Sequence, residues 1–393
     1  MIENLMLKSI KDLHIISGFE MKQKAKKYED EGHPVIHLEL GEPDFDTPKN
    51  IRDAATKAIN EGKTHYAAAL GMPAFRETIA NYIRKQKNIP SVTANNIVVT
   101  PGAKPILFYT FLSFVKPGDE VIIPSPGFSN YQVMADMQQA KTVNLKGTEE
   151  NGFRVKAKGL FPLVNEKTKL LILSSPNNPT GALIEKEEMA KMAEFLKDKN
   201  IVILSDEIYD RLCFDGKKPI SIASFPSMAE KTIIVDGFSK SYAMTGWRLG
   251  YGVMPEAIAK EINPLVVISN SCTATFTQIA GIEAYSGPQQ AVEDMKAVFE
   301  RRRNLLVKGL NQLPGVSCPM PDGAFYAFPN FKSYGMTSDE MCQYLLETAY
   351  ITTLSGSTFG VDLDGYIRLS YATDESILEE ALNRLETALK KLR

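Results

Sequence analysis

Cysteine, histidine and tryptophan are scarce in this sequence: four, four and one among 393 residues. The cysteines, Cys213, Cys272, Cys318 and Cys342, lie far apart with no Cys-x-x-Cys spacing. That pattern excludes a disulfide framework and a thiolate zinc site, and leaves reduced thiols acting as small apolar groups. His14, His33, His37 and His65 are scattered, so solvated or core roles are expected rather than metal ligation. An excess of one charge is also missing. With 45 basic against 47 acidic side chains, a formal −2, there is no global field to draw a nucleic acid or an acidic membrane. Long apolar runs are absent too: "MIENLMLKSIKDLHII" is broken every few residues by Lys, Asp or Glu, which excludes a signal-peptide centre and a spanning helix. A cytoplasmic protein is expected. No repeat, low-complexity tract or Gly/Ser-rich linker divides the chain, so its organisation has to be read from periodicity.

What is present is a globular composition, 44% hydrophobic and 23% charged, over a length that suits two domains. Between about residues 95 and 255, short apolar runs alternate with longer stretches of helical period, the pattern of β/α units feeding a mainly parallel sheet. The runs are "NIVVT", "EVIIP", "KLLILS", "NIVILS" and "KTIIVD". Helical stretches include "KPILFYTFLSFV" and "EKEEMAKMAEFLKDK", the latter opening with glutamates and closing with lysines as the helix dipole prefers. The last hundred residues differ: a long charged helix, "QQAVEDMKAVFERRRNLLVKGLNQL", then strand candidates "AFYAFPNF" and "GYIRLSYA" among further helices. The expectation is a large α/β domain over 46–290 and a smaller α+β domain from 1–45 and 291–393, with helix "FEMKQKAKKYEDEG" and strand "VIHLEL" packing on the latter.

In open α/β sheets ligands bind beyond the carboxyl ends of the strands, so the residues after each run matter most. "NIVVT" leads into Pro101-Gly102-Ala103-Lys104 and a helix start, whose free N–H groups suit a phosphate. "KLLILSS" leads into Pro176-Asn177-Asn178-Pro179, "NIVILS" into Asp206-Glu207-Ile208-Tyr209, and "KTIIVDGFS" into Lys240, with Arg248 eight residues on. An amine at the end of a buried strand is a poor solubilising group but a good imine former, because desolvation and nearby cations favour its neutral state. A carboxylate on a neighbouring strand, Asp206, is what a pyridinium nitrogen requires. Amine, acid and phosphate site together describe pyridoxal phosphate. Plainer duties compete: Asp206 as a helix N-cap, Asn178 as a turn residue, Arg248 in a surface ion pair, Phe128 in the core, and Arg368 on an exposed strand face. Trp247 is assigned to packing.

The motifs "GEPDFDTP", "HYAAALGMPAFRETIA", "VTPGAKPIL", "SSPNNPTGA", "SDEIYDRL", "GFSKSYAMTGWRLGY", "DGAFYAF" and "GYIRLSYA" occur in the order of a known family. The chain resembles, over nearly its whole length, the class I/II, fold-type I aminotransferases, in particular the aspartate aminotransferase-like subgroup. The resemblance implies a large domain with a mainly parallel seven-stranded sheet flanked by helices, plus a smaller α+β domain. It implies that Lys240 holds pyridoxal 5'-phosphate as an imine, and that Asp206 pairs with the ring nitrogen. Asn178 and Tyr209 would bond the ring phenolate oxygen, and Phe128 would stack on the ring. The backbone of Gly102, Ala103 and Lys104, with Ser239 and Arg248, would hold the phosphate. Tyr66 matches a tyrosine that reaches the phosphate of a second subunit, so a homodimer with shared sites is implied. Arg368 would clamp the substrate α-carboxylate, with Gly41 approaching it and Asn178 beside it.

The implied reaction moves an amino group between an L-amino acid and a 2-oxo acid in a ping-pong cycle, with Lys240 as the proton carrier. Lys104 matches a lysine that in the subgroup contacts a distal carboxylate, which favours aspartate, glutamate or similar acidic substrates. Two positions depart from the pattern: the subgroup's amino-terminal hydroxyl pair falls on Ile16 and Gly18, and a hydroxyl common three residues before the lysine is here Gly237. "SNSCTATFTQ", residues 269–278, resembles a loop near the dimer interface. β-Elimination on the same fold, a C–S lyase for example, is the alternative chemistry. A cofactor-sensing module of a DNA-binding regulator is disfavoured by the neutral charge balance.

Overall fold

The computed structural model describes residues 18–392; Ile16, His14 and the rest of the amino-terminal segment lie outside them. Twelve strands are present among the described residues: β1 (Ile36–His37), β2 (Ile97–Thr100), β3 (Glu120–Ser125), β4 (Lys141–Lys146), β5 (Thr168–Ser174), β6 (Val202–Asp206), β7 (Thr232–Gly237), β8 (Gly250–Val253), β9 (Tyr326–Ala327), β10 (Ile351–Thr352), β11 (Leu354–Ser355) and β12 (Ile367–Ser370). Seven of them form one sheet in the order β2-β8-β7-β6-β5-β3-β4. Its pairs are parallel except where β8 lies antiparallel between β2 and β7. Each of the five expected runs is a strand of this sheet. β3 and β7 are buried at every position, as continuous apolar runs covered on both faces should be.

Two strands escape the apolar pattern. β4 is a polar edge strand, "KTVNLK". β8 is "GYGV", where Gly250 sits opposite Gly237 of β7. A Cβ on Gly237 would lie 3.0 Å from the Gly250 Cα, and one on Gly250 would lie 2.4 Å from the Ala103 nitrogen in the turn after β2. Helix Lys104–Phe114 follows β2 and helix Lys186–Leu196 precedes β6, the latter with Glu187 and Glu188 in its first turn. Three apolar clusters drawn from residues 51–292 fill the two faces of the sheet.

A further core gathers the long helix Gln290–Leu310, helices Ser338–Ala349 and Glu375–Lys390, and strands β9 and β12 of the antiparallel trio β11-β12-β9. Thr337 and Glu340 form a reciprocal capping box at the start of Ser338–Ala349. The amino-terminal segment packs here: β1 pairs in parallel with β10, and Ile36 and Leu38 join the core. The strand expected over "VIHLEL" is only two residues long, because beyond His37 the chain turns its backbone to the site described next. Among the described residues no helix is long and apolar enough to cross a membrane.

Candidate active site

β2, β3, β5, β6 and β7 all end at one edge of the large sheet, and the segments that follow them converge there. Lys240 stands three residues beyond β7. Its Nζ donates to the Gly41 carbonyl at 2.5 Å and lies 5.9 Å from the Phe325 ring. Burial, reinforced by Arg368, Lys104 and Arg248 and opposed by Glu42, lowers its pKa from 10.5 to about 8. The loop that carries it is tied to the amino-terminal segment. Trp247 Nε1 donates to Thr47 Oγ1 at 2.9 Å, Thr47 Oγ1 donates to the Ala243 carbonyl at 2.6 Å, and Thr245 Oγ1 donates to Glu42. Trp247 therefore packs and also pins.

Asp206 is the last residue of β6 and is buried. Tyr131 donates to its Oδ2 at 2.6 Å and the Ile208 N–H to its Oδ1 at 3.3 Å. Burial pushes its carboxyl above the usual carboxylate range, and those two donors pull it back. Tyr209, one turn on, exchanges a hydrogen bond of 2.8 Å with Tyr326. Arg368 in β12 is 5% exposed, not on an open strand face. It donates to Asn178 Oδ1 at 3.2 Å and to the Glu39 carbonyl, and stacks over the Tyr326 ring at 4.4 Å. Gly41 leaves room for this: a Cβ there would lie 2.0 Å from Tyr326 Oη. Asn177 holds the turn instead, through Pro126 and Thr180, which frees Asn178 to face the site.

On the β2 side, Gly102 has φ +89, and a Cβ there would meet Arg248 Nη2 at 2.4 Å. The guanidinium thus lies across the turn that starts helix Lys104–Phe114, an end without a side-chain cap. The Gly102 N–H is engaged by the Thr100 carbonyl at 2.8 Å, which leaves Ala103 and Lys104 as the donors of that turn. Arg248 itself adopts φ 55 and donates to the Thr245 carbonyl at 2.7 Å. Part-buried Ser239 immediately precedes Lys240 in sequence. Lys104 Nζ sits 5.6 Å from the Phe128 ring, which meets Tyr131 edge-on at 5.6 Å. Burial and then Arg248 lower the pKa of Lys104. Tyr66 stands apart, 88% exposed, on a segment whose His65 carbonyl accepts from Thr275 within residues 269–278. Gly237 fills the missing-hydroxyl position in β7, where a Cβ would meet Leu249 O at 3.0 Å.

Sequence reasoning missed Tyr131, Tyr326 and Glu39. Tyr131 follows Phe128 by one helical turn, a signal available in "SPGFSNY". A second omission lies behind β6, where alternation turns Glu207 away from the site. Buried Lys87 pairs there with Glu207, Asp210 and Asp236 at 2.7, 2.6 and 3.1 Å. Burial opposes the charge on Lys87, yet Asp210, Asp236 and Glu207 hold it protonated. Burial and Asp210 push Asp236 up to about 8.

Two features test whether the edge suits a phosphorylated pyridine aldehyde. Arg368 Nε is buried without a partner, a donor left for an anion. The glycine turn, helix start and guanidinium form a cradle of phosphate-binding type that any side chain at 102 would fill. The residues present fit the group.

The family model for aminotransferase class I and II matches residues 33–385. The aspartate aminotransferase of Pyrococcus horikoshii is 41% identical over 94% of this chain and 94% of its own. Aromatic-amino-acid aminotransferase 2 of Thermococcus litoralis is 40% identical over 91% and 92%. The solved structure of Thermus thermophilus aspartate aminotransferase with maleate superposes with a TM-score of 0.92 at 33% identity, covering 98% of this chain and 99% of that one. Members of the family with this fold use pyridoxal phosphate. An amine, a buried acid and a guanidinium meeting at one sheet edge agree with that kinship, and the chain belongs to the class I and II aminotransferases, which transfer an amino group between an amino acid and a 2-oxo acid.

Proposed function

We propose that this chain is a cytoplasmic, homodimeric aminotransferase for acidic amino acids, aspartate or glutamate with their 2-oxo acids, and that it uses pyridoxal 5'-phosphate held on Lys240. The observation that carries the reading is the placement of Lys240 just beyond β7, at the edge where the adjacent parallel strand β6 ends in Asp206, with Arg368, Lys104 and Arg248 acting on its amine. When bound, the cofactor supplies an electron sink that acidifies the substrate's Cα–H. The chain's own residues do the rest. Asp206, its charge favoured by the Tyr131 and Ile208 donors, would hold the ring nitrogen. Asn178 and Tyr209 would hold the ring by its phenolate oxygen, with Phe128 as the aromatic beside it. Ala103, Lys104, Ser239 and Arg248 bind the phosphate at the Gly102 turn. Arg368 orients the substrate by its α-carboxylate, with Gly41 and Asn178 alongside, and Lys240 Nζ carries the proton from Cα.

Lys104, at the Phe128 side of the site, supports an acidic substrate. The exposure of Tyr66 at 88% and Ile268 at 84% supports a second copy of the chain seated there. Free thiols support a reducing compartment. We also read 46–290 and the combined 1–45 and 291–393 as two domains, supported by the gathering of the carboxyl-terminal helices in a core of their own, to which 46–290 adds Tyr209, Leu212 and Phe214. The test is to mix the holoenzyme with single amino acids and follow the cofactor absorbance. Aspartate and glutamate should react ahead of alanine, aromatic and branched amino acids. The reverse ranking would overturn the reading of Lys104.

A further inference from the structure

The segment Glu39–Gly41 presents two carbonyls to the site, one to Arg368 and one to Lys240. The side chain of Glu39 is fully buried. A buried carboxyl group is costly unless paired and hydrogen-bonded. Its Oε1 lies 2.9 Å from His37 Nδ1, and its Oε2 accepts from Thr352 of β10. The second nitrogen of the same ring, Nε2, lies 2.9 Å from Glu29 in helix Gly18–Asp30. That helix also abuts the other end of the segment, since a Cβ on Gly18 would lie 2.8 Å from the Glu39 carbonyl oxygen. The helix thus clasps the segment at both ends, and His37 links its Glu29 to Glu39.

We propose that His37 and Glu39 act as a proton-dependent positioning pair for Arg368, so that the enzyme binds the substrate carboxylate more tightly when His37 is protonated. The proposal rests on the reading of Arg368 as the carboxylate holder. The charged groups facing the ring are Glu29 from its helix and Glu39 from its own segment, while β10 alongside presents the neutral Thr352; Arg368 of β12 acts on Glu39. With His37 positive, the Glu39 charge is balanced on the surface side and Arg368 keeps its full attraction for an incoming anion. With His37 neutral, Glu39 has Arg368 as its remaining cation and competes with the substrate. The bond to Glu39 raises the pKa of His37 above 6.5, against the effect of burial and with help from Glu29, so the change falls on the alkaline side of pH 6.5. Reciprocity requires that a bound carboxylate raise the His37 pKa in turn.

The test uses the holoenzyme and succinate, a dicarboxylate with no amino group to react. Calorimetric affinity is measured from pH 6 to pH 9 for the wild type and His37→Gln. Across that interval the wild type should lose about fivefold more affinity than the variant, a coupling at the lower end of the allosteric range. In the wild type, the His37 ring resonance should titrate at higher pH with succinate bound than without, a readout that needs no variant to fold. Equal pH profiles, or an unmoved resonance, would overturn the proposal. Arg368→Lys separates the two levels: undiminished succinate binding there refutes the carboxylate reading itself, whereas lost binding with equal His37 profiles refutes the positioning pair alone.

Discussion

Reactivity of the Lys240 amine against pH is the property most directly set by the geometry. Its pKa stands at about 8 against 10.5 for a lysine in water, a gap worth about 3 kcal/mol. At pH 7 roughly one Lys240 in ten is then neutral against about one ordinary lysine in three thousand, an advantage of about 300-fold in free amine. The assay is reductive alkylation of the cofactor-free protein with a small aldehyde, followed residue by residue through peptide masses. The rate at Lys240 should climb tenfold per pH unit up to about pH 8 and then level off, while solvent-exposed lysines climb to beyond pH 10. The same gap predicts a stability effect. The unfolded chain keeps this proton up to 10.5 and the folded chain sheds it at about 8, so folding stability contributed by Lys240 rises with pH through that window. Below it the ammonium costs the fold about 3 kcal/mol, and cofactor-free Lys240→Met should be the more stable protein at pH 7 by up to that amount. A Lys240 rate still climbing at pH 10, with a variant no more stable than wild type, would refute the reasoning.

Four further outcomes are expected. Tyr131→Phe removes a donor at 2.6 Å from buried Asp206, a charge-assisted bond worth about 1.5–3 kcal/mol, and should lower kcat roughly tenfold or more; an unchanged kcat would count against Asp206 as the working acid. Arg368→Lys, which loses the planar fork, should lower kcat/KM for an amino acid by roughly ten- to a hundredfold in steady-state kinetics. Gly102→Ala, strained at φ +89 and 2.4 Å from Arg248, should weaken pyridoxal phosphate binding far more than binding of pyridoxal without its phosphate, as measured by cofactor titration. Lys87→Met leaves buried Glu207 and Asp210 without their cation, beside an Asp236 already pushed up to about 8, and should destabilise the fold by about 3–5 kcal/mol in chemical denaturation.

Much of this was legible because the chemistry follows strands whose apolar runs are unmistakable. Lys240, Asp206 and Asn178 each come just after or at the end of a run, so strand recognition alone assembles them. β8 was not legible, since "GYGV" has neither the length nor the alternation of a strand, and only its pairing with β2 and β7 makes it one. β4 hid behind its polar edge character. Arg368 was ambiguous between open face and clamp because alternation with Ile367 and Leu369 is the same in both; only tertiary burial under Tyr326 decides. The Lys87 cluster and the Thr352–Glu39 bond join residues from distant parts of the chain, and no local pattern announces such a meeting.

The central claim is that the Nζ of Lys240 joins the aldehyde carbon of pyridoxal phosphate. Borohydride reduction of the native holoenzyme, digestion and mass mapping test it directly. The account predicts the cofactor's mass on the peptide containing Lys240 and on no other; reduced cofactor on a different lysine, or no fixed cofactor at all, would contradict it.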